Sequence, residues 1–273
     1  LVTGASVDDA AREKRKMTVL KPNQLKRRLA GGRKCFGAWL HTANPMAVEA
    51  LAGVGYDALV IDNEHGPASL QQTHAMLQAS LPYDIGIGVR VPEKDPVYFK
   101  QLLDLGANTV MVPMVHNVEH AKSVVDSCRY PPKGSRGIGP WRAMANGVSI
   151  DDYRAYMAEN LFVMVQIESV EAAANAEAIA RVDGVDLLVI GPNDLAGSLG
   201  ITGEFDHPDH RKAMDGILAA GTKAGKPCCT VPHGKHDTAS LFGRGFAFIL
   251  ASTEYTLMRR AALAEVAAAQ KAM

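Results

Sequence analysis

Eight short apolar runs, separated by segments with helical spacing, constrain this chain more than any other feature. The runs are Phe36–Leu40, Ala58–Asp62, Gly86–Val91, Thr109–Pro113, Leu161–Ile167, Leu187–Gly191, Pro227–Val231 and Phe246–Leu250. Most are continuously apolar rather than alternating, as strands are when both faces of a parallel sheet are covered. Helical spacing recurs between them at Pro45–Gly53, Ser69–Ser80, Lys100–Gly106, Val118–Cys128, Ala172–Arg181, His210–Ala224 and Thr238–Gly243. Eight βα units in 273 residues is the arithmetic of one α/β domain, a single (β/α)8 TIM barrel with a parallel eight-stranded sheet. A doubly wound sheet is the alternative, but it more often carries five or six strands.

The remaining composition narrows the function. Apolar residues make up 47% of the chain, too many for a disordered polymer. No run of eighteen apolar residues exists, so no membrane-spanning helix is expected. Lys plus Arg and Asp plus Glu both number 29, which argues against a nucleic-acid binder. Cys35, Cys128, Cys228 and Cys229 form no CxxC pair and read as buried free thiols of a cytoplasmic protein. Residues 1–16 are polar, with a charged run from Arg12 to Lys16, and read as a disordered or tag-derived tail. They hold no apolar core of a secretory signal, and Met17 is a plausible start of the barrel domain, 17–273. The Ala-rich segment from Leu257 to Met273 favours a helix that packs on a neighbour.

In a barrel, the residues just past each strand meet at one rim. Asp62-Asn-Glu-His65 follows the second run, and Arg90 closes the third. Gln166-Ile-Glu168 closes the fifth, and the Gly-rich stretch Gly191–Gly200 follows the sixth. Glu168 and Asp194 therefore become neighbours around the barrel. Two close carboxylates repel unless one is protonated or a cation lies between them. A hard divalent cation is one solution; acid–base chemistry by the pair alone is another. Asp194 taken alone is equally a helix cap, and the Glu168 partner favours the metal. His65 has the titration range of a proton carrier. Arg90 suits a carboxylate or oxyanion, or an ion pair with Asp62 or Glu64, which does not exclude function. Gly191–Gly200 offers backbone N–H groups to an anion but lacks any nucleotide-binding pattern. No lysine stands at a strand end to form an imine.

Together these segments resemble the HpcH/HpaI family of metal-dependent (class II) pyruvate aldolases, from about Pro22 to about Arg260. The matching blocks are Phe36-Gly-Ala-Trp-Leu40, Asp62-x-Glu-His65, Val89-Arg-Val91, Lys100-Gln-Leu-Leu-Asp-x-Gly-Ala107, Arg129-Tyr-Pro-Pro-x-Gly-x-Arg-Gly-x-Gly139, Val165-Gln-Ile-Glu168 and Gly191-Pro-x-Asp-Leu-x-x-Ser-Leu-Gly200. The resemblance implies a homo-hexamer, a trimer of dimers, with C-terminal helices exchanged between subunits. It implies Glu168 and Asp194 as metal ligands, with Mg²⁺, Mn²⁺ or Co²⁺ as the cation. It makes Arg90 the group that stabilises a pyruvate enolate, His65 the proton carrier and Asp104 an aspartate that supports the histidine across an interface. Trp39, Gln166, Gly191, Pro192, Asn193 and Asp194 join Arg90 as substrate-binding residues.

The implied activity is reversible cleavage of a 4-hydroxy-2-oxo acid into pyruvate and an aldehyde, with oxaloacetate decarboxylation as a side activity. The partners are then small molecules, not nucleic acid or membrane. Two segments depart from the pattern. His116 stands where many relatives carry Asp, and is placed on the substrate side. Macrophomate synthase, a decarboxylating relative that forms carbon–carbon bonds, also has histidine there. The stretch Cys228–His236 has no counterpart, so His233 and His236 are either a solvated loop or an added function. The alternatives are an oxaloacetate decarboxylase of the macrophomate-synthase kind and a non-catalytic oligomer that binds 2-oxo acids.

Overall fold

Strand β1 (Cys35–Leu40) enters the sheet from a short helix, α1 (Gln24–Ala30), and α2 (Pro45–Ala52) leads on to β2 (Ala58–Asp62). The computed structural model describes residues 20–144 and 147–273, so the tail expected at residues 1–16 lies outside the described residues. The alternation continues through α3 (Leu70–Ser80), β3 (Gly86–Arg90), α4 (Pro96–Asp104), β4 (Thr109–Val112), α5 (Val118–Cys128) and α6 (Ile150–Asn160). It ends with β5 (Phe162–Ile167), α7 (Val170–Ala180), β6 (Leu187–Ile190), α8 (Pro192–Ser198), α9 (Pro208–Lys223), β7 (Cys228–Thr230), α10 (Thr238–Arg244), β8 (Phe248–Thr253) and α11 (Glu254–Ala272). The eight strands close in sequence order into an all-parallel barrel, with β8 pairing back onto β1. The chain is a single (β/α)8 barrel.

Successive strand residues face opposite sides. Ala58 and Val60, Phe162 and Met164, Leu187 and Val189, and Phe248 and Leu250 fill the interior. Their alternates Leu59 and Ile61, Val163 and Val165, and Leu188 and Ile190 pack under the helices. Both faces are apolar, which is why these strands read as unbroken hydrophobic runs. Leu25 and Leu29 of α1 join the interior cluster, and a Cβ on Gly86 would stand 2.8 Å from that of Leu25. The helix is thus seated against the amino-terminal end of the barrel. Traced toward the carboxyl ends, the interior alternation reaches Asp62, Arg90 and Gln166.

Glycine sets the spacing where strands meet. A Cβ at Gly37 would lie 2.6 Å from the Ala58 carbonyl oxygen and 2.9 Å from the Phe248 ring. Backbone cannot yield as a flexible side chain can. Gly37→Ala is therefore expected to destabilise the barrel by roughly 1–3 kcal/mol, read as a lower thermal midpoint. An unchanged midpoint would show that the β1–β2 seam tolerates the methyl group.

The strand β8 begins two residues later than its apolar run suggests and runs on to Thr253. The β1–β8 register slips between Gly37, opposite Leu250, and Ala38, opposite Ser252, leaving Ala251 as the extra residue. All four cysteines are buried and unpaired by disulfides, as expected. Burial pushes the Cys35 thiol up to about 11 and the Cys128 and Cys228 thiols up to about 12. Among the described residues, no helix is long and apolar enough to cross a membrane.

Candidate active site

The polar interior at the carboxyl end is organised by Asp62, which is fully buried. Its carboxylate takes Nε of Arg90 at 2.8 Å and Nη2 at 2.7 Å, a two-pronged ion pair. It also stands 2.7 Å from Nε2 of His41 and accepts the backbone N–H groups of Glu64 and His65. Burial alone would raise its pKa, but the hydrogen bonds from His41 and Arg90 outweigh that and hold it far below the carboxylate range. Asp62 is therefore a fixed negative charge. A Cβ at Gly66 would collide with the Asp62 carbonyl, so the turn through Glu64 and His65 closes on a residue without one.

Arg90 is buried, with its guanidinium carbon 4.5 Å from the centre of the Trp39 ring. Its Nη1 stands 3.0 Å from Glu64 Oε2. Trp39, Asp62 and Glu64 thus hold its plane on three sides, and both ion pairs expected from sequence form at once. Burial raises the Glu64 pKa despite the pull of Arg90.

Glu168 is buried one residue past β5. Its Oε1 accepts the Met114 N–H at 2.7 Å and its Oε2 the Gln166 amide at 2.6 Å. Met114 holds φ at 54°, rare for a residue with a side chain, and its carbonyl is taken by Lys94 at 2.9 Å. Burial raises the Glu168 pKa, and Asp194 adds to that push. Asp194 lies in the first turn of α8, whose cap Gly191 offers no side-chain acceptor. A Cβ at Gly191 would lie 2.6 Å from Glu168 Oε2, so glycine there is what leaves room for the carboxylate.

These groups fit a hard cation. Two carboxylates of like sign approach each other, and Gln166 keeps its Oε1 buried without a partner. Among the described residues, no three His, Cys, Asp or Glu side chains gather as metal ligands. Carboxylate and amide oxygens are the donors a hard divalent cation takes, and there is no thiolate among them for a soft one.

A cavity of about 380 Å³ opens over this floor. Trp39, His65, Arg90, Gln166, Gly191, Pro192, Asn193 and Asp194, all singled out from sequence, line it. His65 is well exposed there, with Nε2 3.8 Å from Glu64. Two of the residues read from sequence stand apart from the cavity. Asp104 accepts Arg136 Nη2 at 2.6 Å, and His116 turns Nδ1 to the Ser169 hydroxyl at 2.9 Å. His233 is buried against Phe205 and His210, and His236 pairs with it through backbone hydrogen bonds. His210 Nε2 in turn meets the Pro192 carbonyl at 3.0 Å, so this seam packs behind the start of α8.

Sequence reasoning passed over His41 and Glu254. Glu254 Oε1 accepts the N–H groups of both His41 and Thr42 at 2.5 Å, joining the start of α11 to the end of β1. His41 carried a signal, since it is the first polar residue after an apolar strand. Glu254 carried none, because its partner lies 213 positions away.

The profile of the HpcH/HpaI aldolase/citrate lyase family matches residues 35–261. A 4-hydroxy-2-oxo-heptane-1,7-dioate aldolase of Salmonella paratyphi B is 38% identical over 241 residues, which is 88% of this chain and 92% of the relative. The crystal structure of an HpcH/HpaI aldolase/citrate lyase family protein from Burkholderia cenocepacia superposes with a TM-score of 0.85 at 36% identity. That match covers 91% of this chain and 99% of the other. Macrophomate synthase superposes with a TM-score of 0.83 at 25% identity, covering 93% of this chain and 91% of its own. With a family match over most of its length and the same barrel in its relatives, this chain belongs to the HpcH/HpaI aldolase/citrate lyase family.

Proposed function

We propose that the protein is a divalent-metal-dependent aldolase that reversibly cleaves a 4-hydroxy-2-oxo acid into pyruvate and an aldehyde. The observation that carries this reading is Arg90. A buried, permanently charged Asp62 fixes the plane of a guanidinium on the wall of a cavity that Asp194 also lines. Glu168 and Asp194 would hold the cation, with Mg²⁺, Mn²⁺ and Co²⁺ as candidates. The cation would supply positive charge near the 2-oxo group, where negative charge develops.

The chain's own residues do the rest. Gln166 and the backbone from Gly191 to Asp194 receive the substrate carboxylate. Arg90 has N–H groups beyond those bound to Asp62 and donates them to the 2-oxo oxygen as it gains charge. His65, through a water, takes the proton of the 4-hydroxyl. The C3–C4 bond then breaks, its electron pair passing to the pyruvate enolate while the carbonyl of the aldehyde forms. Protonation of the enolate at C3 yields pyruvate. Oxaloacetate decarboxylation passes through the same enolate and is expected as a side activity.

Arg90→Lys is expected to lower kcat on the order of 10²–10³-fold, because an ammonium cannot hold a carboxylate and an oxyanion in one plane. Exchange of pyruvate methyl protons in D₂O, monitored by NMR, checks this. Near wild-type exchange would remove Arg90 from enolate stabilisation.

Exposed Met258, Leu263 and Val266 on α11, with exposed Trp141, support an assembled state, proposed as a homo-hexamer (a trimer of dimers) with exchanged C-terminal helices. Asp104 would then meet the histidine of another subunit. The buried free thiols support a cytoplasmic location. Pyruvate release from 4-hydroxy-2-oxo acids, abolished by a chelator and restored by Mg²⁺, Mn²⁺ or Co²⁺, tests the reading. Binding of oxo acids without turnover would favour a non-catalytic oligomer. Turnover of oxaloacetate alone would favour a decarboxylase.

A further inference from the structure

The charge around the cavity is lopsided. Asp62, Glu64, Glu168, Asp194 and Glu254 all sit at this end of the barrel, and all but the lining Asp194 are largely buried in or beneath its walls. Among the described residues lining the cavity, Arg90 is the lone lysine or arginine. Asp62 already engages it through two nitrogens. His41 is committed to Asp62. Lys94 is tied to the Met114 carbonyl and does not line the cavity. A divalent cation between Glu168 and Asp194 would not reverse this balance.

If Arg90, Gln166 and the start of α8 hold the 2-oxo acid half, the remaining wall belongs to the aldehyde half. That wall is neutral: Val231 and Pro232 after β7, then Leu250, Ala251, Ser252 and Thr253 of β8. The hydroxyls of Thr253 and Thr256 bond each other and the backbone of the first turn of α11. Behind the same wall, Glu254 Oε2 is buried without a hydrogen-bond partner. A carboxylate on the aldehyde half would meet no lysine or arginine among the described residues of this wall and would face buried negative charge.

We propose, on the aldolase reading above, that this enzyme selects substrates whose aldehyde half is uncharged, and that the neutral β8 wall at Ser252 sets that choice. The Salmonella relative is named for a substrate with a second carboxylate, so the two enzymes differ in the class of aldehyde they release or take up.

The test is pyruvate release by the full chain, with Mg²⁺, Mn²⁺ or Co²⁺, from two compounds. One is 4-hydroxy-2-oxopentanoate, whose aldehyde half is neutral; the other is 4-hydroxy-2-oxoheptane-1,7-dioate. The expected result is kcat/KM higher for the neutral compound by on the order of tenfold or more, the size of one like-charge contact near a protein surface. Ser252→Arg should then move the ratio of the two kcat/KM values toward the dicarboxylate. Equal or better use of the dicarboxylate by the wild type overturns the proposal while leaving the aldolase reading in place. A folded Ser252→Arg variant with an unmoved ratio overturns the role of that wall. Release of pyruvate from neither compound overturns the aldolase reading itself, and this proposal with it.

Discussion

Glu168→Gln and Asp194→Asn are each expected to lose metal-supported pyruvate release, by at least the 10²–10³-fold typical of removing a charge-stabilising group. The two substitutions keep shape and remove charge. In Glu168→Gln the side-chain carbonyl can still accept the Met114 N–H, and the Gln166 amide can turn its unpartnered oxygen toward the new NH2, so the local fold is expected to survive. What the new side chain cannot do is join Asp194 in holding a hard cation. The loss is read in two ways: by turnover with saturating Mg²⁺ or Mn²⁺, and by Mn²⁺ binding monitored through the electron paramagnetic resonance of the free ion. Weakened binding in both variants, with an unchanged circular dichroism spectrum, is the expected pair of results. Substantial activity in both, with the cation still bound at the barrel mouth, would sink the metal assignment.

His65→Ala separates two proton-handling steps. Aldol cleavage needs a base for the 4-hydroxyl, whereas loss of CO₂ from oxaloacetate does not. The variant is expected to lose aldol cleavage by roughly 10²–10⁴-fold, the range for a missing general base. Decarboxylation should fall far less. The exposure of His65 in the cavity supports the split, because only the loop turn around Asp62 rests on its backbone. Equal losses in both reactions would make His65 a structural residue.

The barrel was legible because its strands are covered on both sides, so each one prints an unbroken apolar run. Elements with sparse buried positions were harder to see. Helix α1 buries only Leu25 and Leu29, and the run Lys26-Arg27-Arg28 between them reads from sequence as a charged surface stretch, although Lys26 and Arg28 are half-buried and pair with Asp186 and with Asp57 and Asp84. Helix α6 buries only Tyr153 and Met157 and disappeared into a long connection. The carboxyl half of β8 carries an extra residue at Ala251, which no apolar pattern encodes. At the site, Glu168 and His65 could be found because polar residues just past an apolar strand stand out against it. The central place of Asp62 could not, since it depends on Arg90 and His41 arriving from neighbouring strands.

The closing seam between β1 and β8 joins Cys35 to Phe248, residues at nearly opposite ends of the chain. A growing polypeptide therefore carries β1 with an unpaired edge until almost the whole sequence has been made. Such an edge is a template for pairing with other chains, and contacts of this sequence separation form slowly. Truncation anywhere before Phe248 would leave two permanent edges, β1 and the last strand made. Those fragments should collect as aggregates, not as smaller soluble barrels, which makes the final strand a checkpoint for solubility as well as a wall of the cavity.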